Sequence, residues 1–238
     1  MAGFNFLDYE VEREMEYEHP LTEAAKNGHS ECVRLLLSAP GIKVNHGEPL
    51  CLAAKNGHAE CVKLLLAAPG IDVNREFHPT VWCLPDLTFS GYSVQYDRTY
   101  SYPLSLAAKN GHVECVKLLL AVPGIDVNLG SPLELAAKNG HAECVKLLLA
   151  APGIDVNREF HPTVWCLPDL TFSGYSVQYD RTYSYPLSLA AKNGHVECVK
   201  LLLAVPGIDV NLGSPLKLAA KNGHEECVKL LKAAGAQE

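Results

Sequence analysis

The chain contains a near-perfect copy of part of itself, and this constrains its fold more than any other feature. Residues 49–131 recur as residues 132–214, and the two 83-residue blocks differ only where Glu134 replaces Cys51. A shorter unit with the core PLxLAAKNGHxECVKLLLAAPGIDVN occurs twice in each block and, with its variants, six times in the chain. Such a chain predicts a stack in which each unit buries its apolar face only against its neighbours.

The second unit predicts two helices joined by a glycine turn. The run PLCLAAKN predicts a short helix that begins at Pro49, because proline is well tolerated at the first helical position. Gly57 is predicted to end this helix in a left-handed conformation. The run HAECVKLLL at residues 58–66 predicts a second helix with a wide apolar face. In other units Ser131 and Ser214 precede the proline, and we expect them to act as N-caps.

The order of helix, glycine turn, antiparallel helix and extended finger resembles the ankyrin repeat. The resemblance is carried by PLxLAA, which matches the family's T-P-L-H-x-A signature, by NGH at the turn and by VKLLL in the second helix. It implies an all-α ankyrin-repeat solenoid of six repeats that binds proteins. The six units begin at Pro20, Pro49, Pro103, Pro132, Pro186 and Pro215.

Two departures from that family matter. The threonine of the signature is replaced in every unit, and its histidine is replaced by Glu23, Leu52 or an equivalent leucine, so the family's threonine–histidine turn network is predicted to be absent or rebuilt. The units also begin 29, 54, 29, 54 and 29 residues apart, whereas the family period is about 33. The extra length lies in two identical inserts at residues 75–102 and 158–185. We therefore divide the chain into an acidic N-terminal segment, residues 1–18, and a solenoid, residues 19–238, that carries both inserts.

Each insert is predicted to form a β-hairpin that projects from the finger. Its sequence, REFHPTVWCLPDLTFSGYSVQYDRTYSY, alternates apolar and polar residues on both sides of a Ser-Gly pair. It is also rich in tyrosine and tryptophan, which dominate protein interfaces. We interpret the inserts as a contact surface for a protein partner. The predicted partner-binding residues are Trp82, Phe89, Tyr92, Tyr96, Trp165, Phe172, Tyr175 and Tyr179.

Three alternatives remain open from the sequence. The aromatic residues could instead pack on one another or on the adjacent repeat, since an isolated hairpin needs a hydrophobic face. The inserts could join two copies of the chain in a homodimer. The near-perfect duplication also fits an engineered or recently amplified repeat scaffold with no evolved partner.

Composition limits the remaining functions. The net charge of −7 argues against binding nucleic acid, which needs clustered basic residues, and against anionic membranes. The first residues lack the pattern of a signal peptide, and no apolar run reaches the length of a membrane span. Six cysteines occupy one repeat position on the predicted buried helix face. Unpaired core thiols fit a reducing compartment, so we expect a cytoplasmic protein.

No motif predicts an enzyme, a metal site or a cofactor. The pattern His-x-Glu-Cys recurs in every unit, as a repeat turn does and a catalytic centre does not. Cys83 and Cys166 of the inserts are the candidates for an enzymatic alternative, as nucleophiles, but we interpret them as structural. The end units are predicted to be polar caps, marked by Arg34 in the first and by Lys232 in the last.

Overall fold

The computed structural model describes residues 19–76, 102–159 and 184–237. These ranges contain twelve short α-helices, which form six consecutive pairs. None of the described helices is long and apolar enough to cross a membrane. The helices are α1 (Pro20–Lys26), α2 (Ser30–Leu37), α3 (Pro49–Asn56), α4 (Ala59–Leu66), α5 (Pro103–Lys109), α6 (Val113–Leu120), α7 (Pro132–Asn139), α8 (Ala142–Leu149), α9 (Pro186–Lys192), α10 (Val196–Leu203), α11 (Pro215–Lys221) and α12 (Glu225–Ala233).

The predicted helix boundaries of the second unit are confirmed. α3 begins at Pro49 and is ended by Gly57, whose φ of 77° lies in the left-handed region. A Cβ atom at Gly57 would also lie 2.5 Å from Nδ1 of His112, in the turn of the next unit. Glycine is therefore required at this position both by the backbone conformation and by the close approach of the neighbouring imidazole.

The N-cap prediction for the serines is wrong. Ser131 and Ser214 precede the prolines of α7 and α11, but their φ values are 55° and 51° and neither side chain makes a capping hydrogen bond. An N-cap side chain reaches the first amides of a helix from an extended backbone. The Gly-Ser linkers turn through two successive left-handed residues instead, so the serine hydroxyl is not positioned to cap.

The helices form two layers. The first helices of the pairs pack against one another in chain order, and the second helices do the same. Between the layers lies a main core of small and branched residues that repeats from unit to unit, and Leu135 and Leu189 form a second, smaller cluster. In the second unit this core contains Ala53, Ala54, Val62 and Leu65, all with 0% exposure. Because each pair fills the space beside the next one, the core continues along the stack past both inserts.

The histidine of the turn joins each unit to the one before it. Nε2 of His58 lies 3.0 Å from the carbonyl oxygen of Lys26, so Nε2 carries a proton and donates. His112, His141, His195 and His224 repeat this contact with the preceding units. The interpretation of His-x-Glu-Cys as a repeat turn is therefore confirmed for the histidine.

Burial of the cysteine position depends on the unit. The five cysteines of the second to sixth units are 0–1% exposed, as predicted. Cys32 in the first unit is exposed, and here the prediction of a buried face is wrong. The reason is that α2 has no outer helix beside it on the N-terminal side within the described residues.

Candidate functional site at the bases of the inserts

All eight predicted partner-binding residues lie outside the described residues, and so do the predicted hairpins. The structure does describe where the inserts leave and rejoin the stack. We define the first insert base as Arg75, Glu76 and Tyr102, and the second insert base as the equivalent residues of the second block, namely Arg158, Glu159 and Tyr185.

The two ends of the first insert meet at its base. Tyr102 and Glu76 share a side-chain hydrogen bond, in which the phenol donates to the carboxylate. Burial raises the pKa of Tyr102, and the negative charge of Glu76 together with this hydrogen bond raises it further. The phenol therefore stays protonated and remains a donor near neutral pH. Through this contact, Glu76, near the start of the insert, lies next to Tyr102, the residue at which the chain returns.

A buried serine fixes the returning chain to the stack. The Ser105 hydroxyl donates to the Tyr102 carbonyl at 2.9 Å and accepts from the Tyr102 amide at 3.1 Å. Ser188 makes the same two bonds with Tyr185, at 3.0 and 2.9 Å. Both serines are 0–1% exposed. In these two units the turn network is thus rebuilt from tyrosine and serine, and neither serine is among the residues predicted for the site.

The fingers are joined across each insert by asparagine side chains. Nδ2 of Asn157 donates to the carbonyl of Gly207 at 2.9 Å, and its Oδ1 accepts from the Asp209 amide at 3.0 Å. Asn74 makes the equivalent pair of bonds across the first insert. At each insert, the asparagine therefore bonds the finger before the insert to the finger of the next unit. The two fingers are in direct contact although the insert separates them in sequence.

The single difference between the two blocks lies directly at these bases. Cys51 is 1% exposed, and its thiol lies 3.6 Å from the carbonyl oxygen of Arg75. Glu134, the equivalent residue, is 2% exposed. Its Oε1 atom is the only buried side-chain nitrogen or oxygen in the described ranges that lacks a hydrogen-bond partner. The two inserts are identical in sequence, yet a thiol lies beside the base of the first and a carboxyl group interacts with the base of the second.

The electrostatics of the second base follow from this substitution. Burial raises the pKa of Glu134 to about 7, because the charged form loses its hydration. The backbone amide of Glu134 and the Arg158 guanidinium act in the opposite direction, while the carboxylate of Asp155 adds to the rise. Arg158 also donates from Nη1 to the Asn128 carbonyl of the preceding finger. Thus Glu134, a group that titrates near neutral pH, lies within the electrostatic reach of Arg158 of the second insert base.

The described residues contain no group of three or more His, Cys, Asp or Glu side chains that could hold a metal ion. Burial raises the pKa values of the Cys115, Cys144 and Cys198 thiols to about 11. Such thiols are protonated and poorly nucleophilic at neutral pH. Cys83 and Cys166, the thiols of the enzymatic alternative, lie outside the described residues.

Comparison with known proteins identifies the architecture. A family model described as "Ankyrin repeats (3 copies)" matches residues 4–76, 81–159 and 164–237. The crystal structure of the human ASB11 ankyrin repeat domain is 27% identical in sequence, with a TM-score of 0.64. That match covers 92% of this chain and 84% of the human domain. No curated protein matches the chain.

Proposed function

Because this chain belongs to the ankyrin repeat family, we propose that it is a non-catalytic module of six repeats whose two aromatic inserts contact a protein partner. Ankyrin repeats generally bind other proteins, and extended repeat surfaces suit that role. The six repeats correspond to the six described helix pairs. The inserts correspond to the two points at which the chain leaves and rejoins the stack.

One observation carries the proposal: hydrogen bonds join the neighbouring units across both inserts. The asparagine bonds join the fingers behind both inserts with the lengths found where no insert intervenes. Across the inserts, His112 likewise bonds the carbonyl oxygen of Lys55, and His195 bonds the carbonyl oxygen of Lys138. The units are thus bonded directly to one another, and contact with another molecule would explain why a 28-residue segment rich in tyrosine and tryptophan lies between them in sequence.

The spacing of the inserts favours a partner with repeated features. They leave the stack two units apart, which corresponds to about 20 Å if neighbouring helices pack at about 10 Å. Both present the same aromatic residues, so a partner with two matching patches would gain avidity without any new contact. Self-association through the inserts is the competing arrangement.

A double substitution separates these arrangements. In the double variant with Trp82→Ala and Trp165→Ala, we expect the chain to stop capturing the proteins that bind through the inserts. Its oligomeric state should stay the same. The matched control is the chain whose two inserts are replaced by the Leu-Gly-Ser linker of residues 129–131, which removes every insert aromatic. Captured proteins count only if they bind the intact chain and fail to bind this control.

The same experiment can contradict the proposal. If the double variant sediments as a monomer while the parent chain sediments as a dimer, the inserts join copies of this chain. If binding and sedimentation both stay unchanged, the tryptophans do not contact a partner and the assignment of these site residues is wrong.

A further inference from the structure

The end of the stack formed by α1 and α2 has an uncovered apolar surface. Leu35 is 58% exposed, which makes it the only exposed large hydrophobic side chain in the described ranges. Cys32 is exposed and Leu36 is only partly buried. With Pro20 and Ala24 these side chains line an open depression of about 460 Å³. We refer to this surface as the N-terminal face.

The equivalent positions of the next unit show what is missing. Cys61 is 1% exposed and Leu65 is 0% exposed, because α2 packs against α4 on that side. Cys32 and Leu36 occupy the same positions of α2. They would be buried in the same way if one more outer helix lay beside α2.

The other half of the N-terminal face is already polar. α1 carries Glu23 where every later first helix carries a leucine. Glu23 accepts hydrogen bonds from Lys26 at 3.0 Å and from Asn27 at 3.2 Å, both near solvent. The prediction that the first unit is a polar cap therefore holds for α1 and is wrong for α2. Only the α2 half of the N-terminal face is apolar, so one segment beside α2 would cover it and a complete helix pair is not needed.

We propose that residues 4–15 of this chain cover the α2 half of the N-terminal face. Each unit runs from first helix to second helix to finger, so a helix that precedes α1 in the chain comes in the order of a second helix, the kind that packs beside α2. The spacing of Phe4, Leu7, Val11 and Met15 places four apolar side chains on one side of a helix. That is the apolar stripe such a position requires.

A second observation supports this occupant independently. The ankyrin family model matches from residue 4, well before α1 begins at Pro20. A second copy of the chain is a poorer occupant. The opposite end of the stack carries Lys217, Lys221 and Lys232 around its apolar residues, and docking the N-terminal face there would desolvate these charges.

The thiol of Cys32 reports directly on the cover. The intact full-length chain is alkylated under native conditions, and tryptic peptides are quantified over time. Residues 27–34, which contain Cys32, and residues 222–229, which contain Cys227, each give a peptide of unique sequence. Cys227 is 0% exposed and serves as the internal control for the fold.

One variant combines Leu7→Asp with Val11→Asp. The matched control is Arg13→Asp, which lies opposite the apolar stripe and changes the net charge by the same amount.

We expect Cys32 to react slowly in the parent chain and in the Arg13→Asp control. The double variant should raise the rate for Cys32 by about tenfold or more, because opening of the cover limits access, and it should leave Cys227 unchanged. If the double variant also accelerates Cys227, Leu7→Ser with Val11→Ser repeats the test without added charge. Equal rates for Cys32 in all chains would overturn the proposal. Protection that grows with protein concentration would also overturn it, since the occupant would then be a second copy.

Discussion

The side-chain amide of Asn74 donates a 2.9 Å hydrogen bond to the carbonyl oxygen of Gly124, although 50 residues and a whole insert separate them along the chain. Asn45 makes the same bond to Gly70 at 2.8 Å with no insert between them. The finger geometry is therefore the same with and without an insert. Among the described residues, Asn74 therefore bonds one unit directly to the next on either side of the insert.

This relationship predicts that the first insert can be removed. Replacing residues 75–102 with Leu-Gly-Ser should leave a cooperatively unfolding helical protein, measured by circular dichroism during thermal denaturation. The comparison variant is Asn74→Ala in the intact chain, which deletes both finger bonds and should lower the free energy of unfolding by about 1–2 kcal/mol. If removal of the insert unfolds the chain instead, its aromatic residues belong to the core of the solenoid.

Glu134 should make stability depend on pH. Its pKa in the folded protein, about 7, lies above its ordinary value of 4.5, so the folded state binds the proton more tightly than the unfolded state. The contribution of Glu134 to the free energy of unfolding is therefore fully present below pH 4.5 and is lost as the pH rises toward 7. The loss should be on the order of 3 kcal/mol at pH 8. Urea denaturation of the Glu134→Cys variant across this range should show the loss removed.

The duplicated block supplies the reverse substitution as a control. Cys51→Glu places a carboxyl group at the equivalent buried position of the first block. This variant should lose additional stability over the same pH range. Parallel pH profiles for the parent chain and both variants would show that the Glu134 carboxyl group is not desolvated as the structure indicates.

Ser105→Ala should weaken the attachment of the first insert base. The change removes the hydroxyl that bonds both the amide and the carbonyl of Tyr102. The Tyr102 carbonyl keeps its bond from the Leu106 amide, so the cost comes mainly from the Tyr102 amide and should be about 1–3 kcal/mol in the free energy of unfolding. Ser188→Ala is the matched variant in the second block and should cost a similar amount, and the two effects should add because the two sites lie two repeats apart. A chain that tolerates both changes without loss would show that these bonds do not stabilise the bases.

Cys144→Asp should be severely destabilising, by about 3 kcal/mol or more, because it buries an unpaired charge in the core. The same substitution at Cys32 is the control. Cys32 is exposed within the described residues, and the segment proposed to cover it can detach while the stack stays folded, so Cys32→Asp should cost far less. Denaturant midpoints of the two variants test the difference. Equal and small effects would mean that the cysteine position of the inner units is not part of the core.

Local signals in the sequence determined the helices. Proline at the start, Gly57 at the end and the apolar spacing between them act within one unit, so α3 could be placed from Pro49 to Asn56 before its neighbours were known. Repetition of the unit then implied a continuous core. The eight insert aromatics stay predictions, because they lie outside the described residues.

Only the tertiary structure decided what depends on neighbours. Cys32 and Cys144 have the same local sequence pattern, but one is exposed and the other is 0% exposed, since burial of this position requires an adjacent outer helix. Ser131 resembles an N-cap in sequence, but the left-handed turn before α7 prevents that role. Glu134 differs from Cys51 by one substitution, and only the packing around it left a carboxylate oxygen without a partner. Helix formation follows from local chain chemistry, whereas exposure, satisfaction of buried polar groups and pKa are set by whichever groups the fold brings alongside.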